Sequence, residues 1–176
     1  MTEGLFIVAI TSPDKIYNES QKISNILEGR EADIVHIRKP EWTIEETDCL
    51  IRSIPERLHP KLKLHYHFEL IERYELAGVH LNRRNPLPHP KAKSVSISCH
   101  SIEQLEEYEH YDYITLSPIF DSISKAGYHS AFDLEEIKSH LNGRKVVALG
   151  GVTPSKFHLL RQTGFFGAAM LGHFWK

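Results

Sequence analysis

The chain has 176 residues, of which 41% are hydrophobic and 25% are charged, and its formal net charge is -2. This length suits one domain, residues 1–176, with a substantial core. The charge gives no reason to expect nucleic acid or an acidic membrane surface as a partner, and no apolar run approaches the roughly 20 residues of a membrane helix. Only two cysteines are present, Cys49 and Cys99, which argues against a disulfide framework and favours a cytoplasmic protein.

Eight short runs rich in valine, isoleucine, leucine and tyrosine predict strands. Most are almost continuously apolar, as is typical of strands covered on both faces. The runs are residues 5–11, 33–39, 62–67, 78–81, 94–100, 113–117, 145–149 and 168–171.

Helical patterns lie between most of these runs. Thr43, with Glu46 three residues later, predicts a capping box for a helix over 44–54. Asp133 predicts the start of a helix over 134–141, and Thr153 the start of one over 154–162. Further helices are predicted over 17–28, 68–74 and 102–108, whereas the proline-rich segment 82–93 predicts none.

Alternation of strands and helices predicts right-handed βαβ units and a parallel sheet. Eight strands favour closure into a barrel over an open sheet. The sequence ends shortly after the eighth run, so we expect a small (β/α)8 barrel with reduced or missing helices and no helix after strand eight. Apolar barrel surface left by a missing helix could be covered by a second copy in a homo-oligomer.

The carboxyl ends of barrel strands carry the functional groups. His36 and Arg38 alternate onto one face at the end of the second strand, where Arg38 could hold a pyrophosphate. Ser98, at the end of the fifth strand, could bond a phosphate oxygen; a barrel-lining hydroxyl is the equally weighted alternative.

Two later loops carry further phosphate-binding chemistry. Ser122, Ser124 and Lys125 follow the sixth strand and could grip a polyphosphate, or be a solvated loop. Gly150 and Gly151 follow the seventh strand and let the backbone approach an anion, although a glycine pair is also an ordinary turn. Gly172 would close the same site from strand eight.

Histidines offer a different chemistry. His65 and His67, two apart on a predicted strand, would share one side, and His36, His80 or His100 could add a third metal ligand. Twelve histidines make coincidental pairs common, and a lone histidine in an apolar strand such as His80 is more often a hydrogen-bonded core residue.

The order and spacing of five motifs resemble the thiamin phosphate synthase/TenI family over nearly the whole chain. The motifs are H-I-R-K-P from residue 36, F-E-L-I and A-G-V-H-L from residues 68 and 77, V-S-I-S-C-H-S from residue 95, Y-D-Y-I-T-L-S-P-I-F-D-S-I-S-K from residue 111, and V-V-A-L-G-G-V-T from residue 146.

The resemblance implies a TIM barrel of thiamin metabolism. The family's synthase joins a pyrimidine pyrophosphate to a thiazole phosphate, uses magnesium, needs no organic cofactor and releases pyrophosphate. TenI-type relatives tautomerise a thiazole phosphate and need no metal. Their catalytic histidine follows strand six, where this chain has Pro118, as in synthases.

The resemblance also assigns positions. Arg38 keeps the arginine of a strand-two Q-x-R-x-K motif, His36 replaces the glutamine, and Lys39 is the lysine displaced by one. The family's magnesium-linked Asn-Asp pair falls on His65 and Tyr66, and its second aspartate on Asn85.

The remaining correspondences concern phosphate groups. Ser98 matches the strand-five serine, the pair Gly150 and Gly151 matches the glycines that hold the thiazole phosphate, and a Thr-x-Thr-Lys loop falls conservatively on Ser122, Ser124 and Lys125.

Three functions therefore stay open. The favoured one is a synthase in which Arg38, Lys125 and His36 supply the catalytic groups. The second is a TenI-like tautomerase with His36 or His65 as base, or a barrel that binds thiazole or thiamin phosphates without turnover. The third is a histidine-metal hydrolase centred on His65 and His67.

Overall fold

The computed structural model describes residues 4–121 and 132–175. Eight parallel strands follow one another around a closed barrel, and the eighth pairs with the first. They are β1 Phe6–Ile10, β2 Ile34–Ile37, β3 Leu62–Leu64, β4 Gly78–Leu81, β5 Val95–Cys99, β6 Tyr113–Leu116, β7 Val146–Ala148 and β8 Gly167–Met170. The predicted eight-stranded barrel is confirmed.

Five α-helices surround the barrel in the described residues. They are α1 Glu19–Glu28, α2 Ile44–Arg52, α3 Glu103–Glu107, α4 Leu134–Leu141 and α5 Phe157–Thr163. The predicted capping box forms at the start of α2, and the carboxylate of Asp133 accepts from Glu135 N and Glu136 N at the start of α4. None of the described helices is long and apolar enough to cross a membrane.

The outer layer lacks an α-helix after three of the strands in the described residues. Only a 3₁₀ turn, Phe68–Glu72, follows β3, and residues 82–93, all of them described, contain no helix between β4 and β5. Residues 171–175, the last ones described, also form no helix. The prediction of a small barrel with reduced helices is therefore confirmed.

One predicted cap is wrong. Thr153 makes no side-chain cap, because its hydroxyl lies 2.8 Å from that of Ser155. The segment instead opens as a 3₁₀ turn, Pro154–Lys156, and becomes α5 only at Phe157.

The core has two parts. Apolar side chains between the strands and the surrounding helices form an outer core, for example Ile23, Leu27 and Ile51 on the α1–α2 side. A smaller apolar cluster that includes Val8, Ile10 and Val147 lines part of the barrel interior. The rest of the interior is polar, and that polar part positions the candidate site.

Candidate active site

Three histidines from neighbouring strands meet inside the barrel. His36 lies on β2, His65 directly follows β3, and His80 lies on β4. Their ring centroids are separated by 5.0 Å for His36 and His65, 5.0 Å for His36 and His80, and 4.3 Å for His65 and His80. All three are buried. We call these residues the histidine cluster.

The cluster is held by direct hydrogen-bond contacts. Nδ1 of His36 lies 2.9 Å from Nε2 of His65, and Nε2 of His36 lies 2.5 Å from the hydroxyl oxygen of Tyr113. His80 is fixed at both nitrogens, with Nδ1 2.8 Å from Ser96 Oγ and Nε2 2.9 Å from Ser98 Oγ. Its assignment as a hydrogen-bonded core residue is confirmed.

Burial keeps the cluster neutral. Loss of hydration lowers the pKa of His36 and of His65 well below 6.5, and a charge on either would also be repelled by the neighbouring histidines and by Lys63. Burial, with a further contribution from Lys63, lowers the pKa of His80 to about 3. At neutral pH each of the three imidazoles is therefore uncharged, with one ring nitrogen protonated and a lone pair on the other.

A buried lysine lies next to the cluster. Lys63 Nζ donates to Ser94 Oγ at 2.9 Å and to Ser96 Oγ at 3.1 Å, and it lies 4.4 Å from the centre of the Tyr113 ring. Burial lowers the pKa of Lys63 to about 8 and raises the pKa of Tyr113. The barrel interior thus holds a continuous polar network.

Arg38 lies two residues beyond His36, at the carboxyl end of β2, and is partly exposed. Its backbone N–H donates to Thr11 Oγ1 at 2.8 Å, which ties it to the end of β1. Its guanidinium is close enough to His65 to help lower the pKa of that imidazole. Within the described ranges no hydrogen bond or ion pair engages its guanidinium.

The glycine turn after β7 has a conformation that other residues would strain. Gly150 and Gly151 have φ of 93° and 60°. A Cβ on Gly151 would lie 2.2 Å from the carbonyl oxygen of Asp121, and one on Gly150 would lie 2.8 Å from Pro118 Cα. The backbone after β7 therefore packs directly against the segment after β6, as close loop packing at a barrel mouth requires.

The remaining predicted phosphate residues are placed unevenly. Ser98 lies on β5, one residue before its end, is partly exposed and contacts the histidine cluster. Gly172 is exposed, and a Cβ there would meet nothing within 4 Å. The predicted loop residues Ser122, Ser124 and Lys125 lie outside the described residues.

The prediction that His65 and His67 share one side is wrong. β3 ends at Leu64, and His67 has a left-handed φ of 55° that turns its ring away, so that Nε2 lies 2.8 Å from the carbonyl oxygen of Trp42. His100 is exposed and contacts Ser117. His36 and His80 are the partners of His65.

The positions aligned with magnesium ligands do not fit magnesium. Magnesium takes oxygen ligands in an octahedron and prefers carboxylates. Here His65 offers nitrogen, Tyr66 is uncharged, and Nδ2 of Asn85 donates to the carbonyl oxygen of His65 at 3.1 Å. Asn82 donates to the same carbonyl at 3.0 Å, so these residues fix the His65 backbone.

The side chain of Lys39 points to α1 and not to the mouth of the barrel. It is buried, and its Nζ lies 2.7 Å from both Glu19 Oε2 and the carbonyl oxygen of Asp14. It also lies 4.3 Å from the centre of the Trp42 ring. This lysine ties the start of α1 to the end of β2.

Sequence reasoning missed Lys63, Tyr113 and Ser96 as members of the interior network. Side chains alternate between the two faces of a strand, and this period of two was the available signal. Lys63 is the register partner of His36, and Ser96 is the register partner of both His80 and Tyr113, so these side chains share the interior face. The apolar character of these strands concealed which face was polar.

A closed eight-stranded parallel barrel whose strands are mostly followed by helices is the architecture of the (β/α)8 enzymes. A family model described as thiamine monophosphate synthase matches residues 7–174. The chain belongs to this family.

Individual relatives agree. The chain is 31% identical over 134 residues to a protein named putative thiamine-phosphate synthase 2 of Aquifex aeolicus, covering 70% of this chain and 71% of that protein. It is 31% identical over 105 residues to a thiamine-phosphate synthase of Syntrophomonas wolfei, covering 53% of this chain and 50% of that protein. The match therefore spans about half the length of the second relative.

A solved structure is also similar. The crystal structure of thiamine phosphate pyrophosphorylase from Bacteroides thetaiotaomicron superposes with a TM-score of 0.85 at 36% identity, covering 97% of this chain and 85% of that one. The structure of thiamine phosphate pyrophosphorylase from Pyrococcus furiosus, at 19% identity and a TM-score of 0.77 over 95% of this chain and 85% of that one, shows the same fold.

Proposed function

We propose that this chain joins a pyrimidine pyrophosphate to a thiazole phosphate, giving thiamin phosphate and pyrophosphate. The observation that carries the proposal is the family match, which runs from β1 to beyond β8 without leaving out any strand of the barrel. The relatives that are named thiamine-phosphate synthases also support the proposal.

The reaction breaks one bond and forms one. The C–O bond between the pyrimidine methylene and the pyrophosphate breaks, and the electron pair leaves with the pyrophosphate. The thiazole nitrogen then supplies the electron pair of the new C–N bond to the same carbon. No proton has to be removed, so the protein acts mainly by positioning the two substrates and by stabilising charge.

Arg38 is the described residue best placed to receive the leaving pyrophosphate. A guanidinium presents paired N–H donors that match phosphate oxygens, and this one has no competing carboxylate among the described side chains. Ser98 offers a hydroxyl at the same mouth. Lys125, Ser122 and Ser124 are assigned to the pyrophosphate on their sequence positions.

The glycine turn is assigned to the thiazole phosphate. Gly150 and Gly151 bring bare backbone to the end of β7, where phosphate groups bind in many barrels. Gly172 is assigned to the same subsite on its position after β8. The residues at the positions expected for magnesium ligands do not fit this ion.

A product assay tests the proposal. Pure protein is mixed with both substrates, with and without magnesium, and thiamin phosphate is detected by oxidation to fluorescent thiochrome. We expect product, and we expect Lys125→Ala and Arg38→Met each to lower kcat/KM by on the order of 100-fold, because each removes a charge that stabilises the leaving group.

Lys138→Ala is the matched control, because Lys138 is an exposed lysine on α4. It should retain wild-type activity. Absence of product beside an active control synthase would reject the proposal. In that case tight binding of thiazole phosphate would assign the barrel to phosphate binding or tautomerisation.

A further inference from the structure

The histidine cluster has the composition of a transition-metal site. Three imidazoles from β2, the end of β3, and β4 place ligand nitrogens within 4.8 Å of one another, and all three residues are buried. In a tetrahedral zinc site with bonds of about 2.0 Å, neighbouring ligand nitrogens lie roughly 3.3 Å apart. Ring movements of about an ångström would therefore bring the cluster to ligand spacing.

We propose that His36, His65 and His80 bind one divalent transition-metal ion of the zinc class. Imidazole nitrogen suits zinc, cobalt and nickel, whereas magnesium and calcium require oxygen ligands. Three protein ligands leave a fourth position for an oxygen of water or of an anion, which is the ligand count of an open site rather than a closed structural one.

The lone pairs can be released without loss of a proton. The contact between His36 Nδ1 and His65 Nε2 holds one hydrogen, and each ring has a second nitrogen that can carry it. With that hydrogen moved to His65 Nδ1, and His36 protonated at Nε2, both facing nitrogens present lone pairs to the ion.

Groups around the cluster can orient the ligands. Metal-binding histidines usually donate their other N–H to a neighbouring oxygen, which fixes the ring. Here the Tyr113 hydroxyl lies 2.5 Å from His36 Nε2, and Ser96 Oγ lies 2.8 Å from His80 Nδ1. The backbone of His65 is fixed by Asn82 and Asn85, both of which donate to its carbonyl.

Nearby cations repel a bound metal ion and lower the affinity of the site for it. Lys63 Nζ is held by Ser94 and Ser96, and Arg38 lies on the mouth side of His65. No carboxylate belongs to the cluster among the described residues. We therefore expect affinity in the micromolar range, well short of that of a permanently occupied zinc site.

Binding is measured on tag-free protein stripped with chelator. The protein is titrated with Co²⁺, followed by its visible d–d absorption, and separately with Zn²⁺ by calorimetry. We expect one equivalent per chain with a tetrahedral cobalt spectrum. His36→Gln, His65→Gln and His80→Gln should each abolish this spectrum, and Tyr113→Phe should weaken binding on the order of tenfold.

His67→Gln is the matched control, because His67 is two residues from His65 but points away from the cluster. It should bind as the wild type does. Equal binding by the cluster variants, or loss only in His67→Gln, would overturn the proposal. Absence of any stoichiometric binding would also overturn it.

A second measurement uses only the wild-type protein and therefore does not depend on whether the variants fold. X-ray absorption at the zinc edge of the loaded wild-type protein should show three imidazole nitrogens at about 2.0 Å. Fewer than three would place the ion on surface histidines and reject the site. Both measurements read binding alone, so their failure leaves the proposed synthase reaction untouched.

Discussion

Nδ1 of His36 and Nε2 of His65 lie 2.9 Å apart in the interior of the barrel. This contact is attractive only while the pair shares a single proton, because two imidazolium ions at that distance would repel each other. His80 stacks on His65 at a centroid distance of 4.3 Å and extends the same constraint to a third ring. The interior of this barrel is therefore built for neutral histidines.

Acid should unfold the metal-free protein through these three rings. Their folded-state pKa values are lowered below 6.5, so the unfolded chain binds more protons than the folded one as pH falls below 6.5. Stability is then lost on acidification, with a slope of up to about 1.4 kcal/mol per pH unit for each histidine. Lys63 and Arg38 are the cations that face the cluster, and Lys63, with a pKa of about 8, stays charged throughout this window.

Urea denaturation between pH 7 and pH 5, in chelator, measures the slope. His80→Gln should reduce the dependence of the unfolding free energy on pH by the contribution of about one proton bound on unfolding. His158→Gln, which changes an exposed histidine on α5, should leave it unchanged. Equal slopes in all three proteins would show that the cluster is not the source of the acid sensitivity.

Lys63 should limit stability at neutral pH. Its folded-state pKa of about 8 lies below the ordinary value of 10.5, so the unfolded chain binds the extra proton between these values and stability rises with pH above about 8. Lys63→Met removes the buried charge and should stabilise the protein at pH 7 by on the order of 1 to 3 kcal/mol, with the loss of a donor to Ser94 and Ser96 reducing the gain.

Denaturation at pH 7 and at pH 9.5 tests this account of Lys63. The wild-type protein should gain stability between the two values and Lys63→Met should not. Tyr113 stays protonated in the fold, and its ionisation in the unfolded chain opposes the trend only near pH 10 and above. A Lys63→Met variant that is less stable than wild type at pH 7 would contradict the prediction.

The two tested glycine positions should differ sharply. Gly151→Ala places a methyl group 2.2 Å from the carbonyl oxygen of Asp121 at a φ of 60°, so the turn has to shift. We expect a loss on the order of 2 kcal/mol and a higher KM for thiazole phosphate. Gly172→Ala meets nothing within 4 Å and should change stability by less than about 0.5 kcal/mol.

Thermal unfolding and the thiochrome assay measure both effects of the glycine variants. If Gly172→Ala raises KM as much as Gly151→Ala does, the thiazole phosphate subsite lies nearer to β8 than proposed. Unchanged stability in Gly151→Ala would contradict the packing of the β7 turn against the segment after β6.

The sequence predicts the barrel well because the strands carry an apolar signal and the connections carry glycine, proline and capping signals. Thr43 and Asp133 cap as predicted, since each carries its oxygen to N–H groups within the next three residues. The turn after β7 is also predictable, because a glycine pair directly after an apolar run is a local sequence signal for a turn.

The histidine cluster is less readable from sequence. Its members lie 29 and 15 residues apart along the chain, and only strand register brings them together. The sequence predicts His65 and His67 on one side only if β3 continues to residue 67. The strand instead ends at Leu64, and the left-handed φ of His67 turns its ring away. A local period of two fails where the strand itself stops.

The buried pair Lys39–Glu19 should be strongly coupled. Glu19 Oε2 lies 2.7 Å from Lys39 Nζ, while Glu19 Oε1 has no hydrogen-bond partner among the described residues. Burial raises the pKa of Glu19 and lowers that of Lys39, so each charge depends on the other. Lys39→Met leaves an unpaired buried carboxylate and should cost about 3 to 5 kcal/mol, whereas Lys39→Met with Glu19→Leu should recover most of it.

The cost of Lys39→Met should also depend on pH. Without the lysine the folded-state pKa of Glu19 rises further above 4.5, so the folded protein binds the extra proton and loses stability as pH rises. Urea denaturation at pH 5.5 and pH 8 should show the larger loss at pH 8. Lys15→Met, which breaks an exposed pair with Glu46, is the control and should change little at either pH. A loss that is the same at both pH values, and that the double variant fails to recover, would mean that Lys39 acts through its contacts with Trp42 and Asp14 rather than through the charge of Glu19.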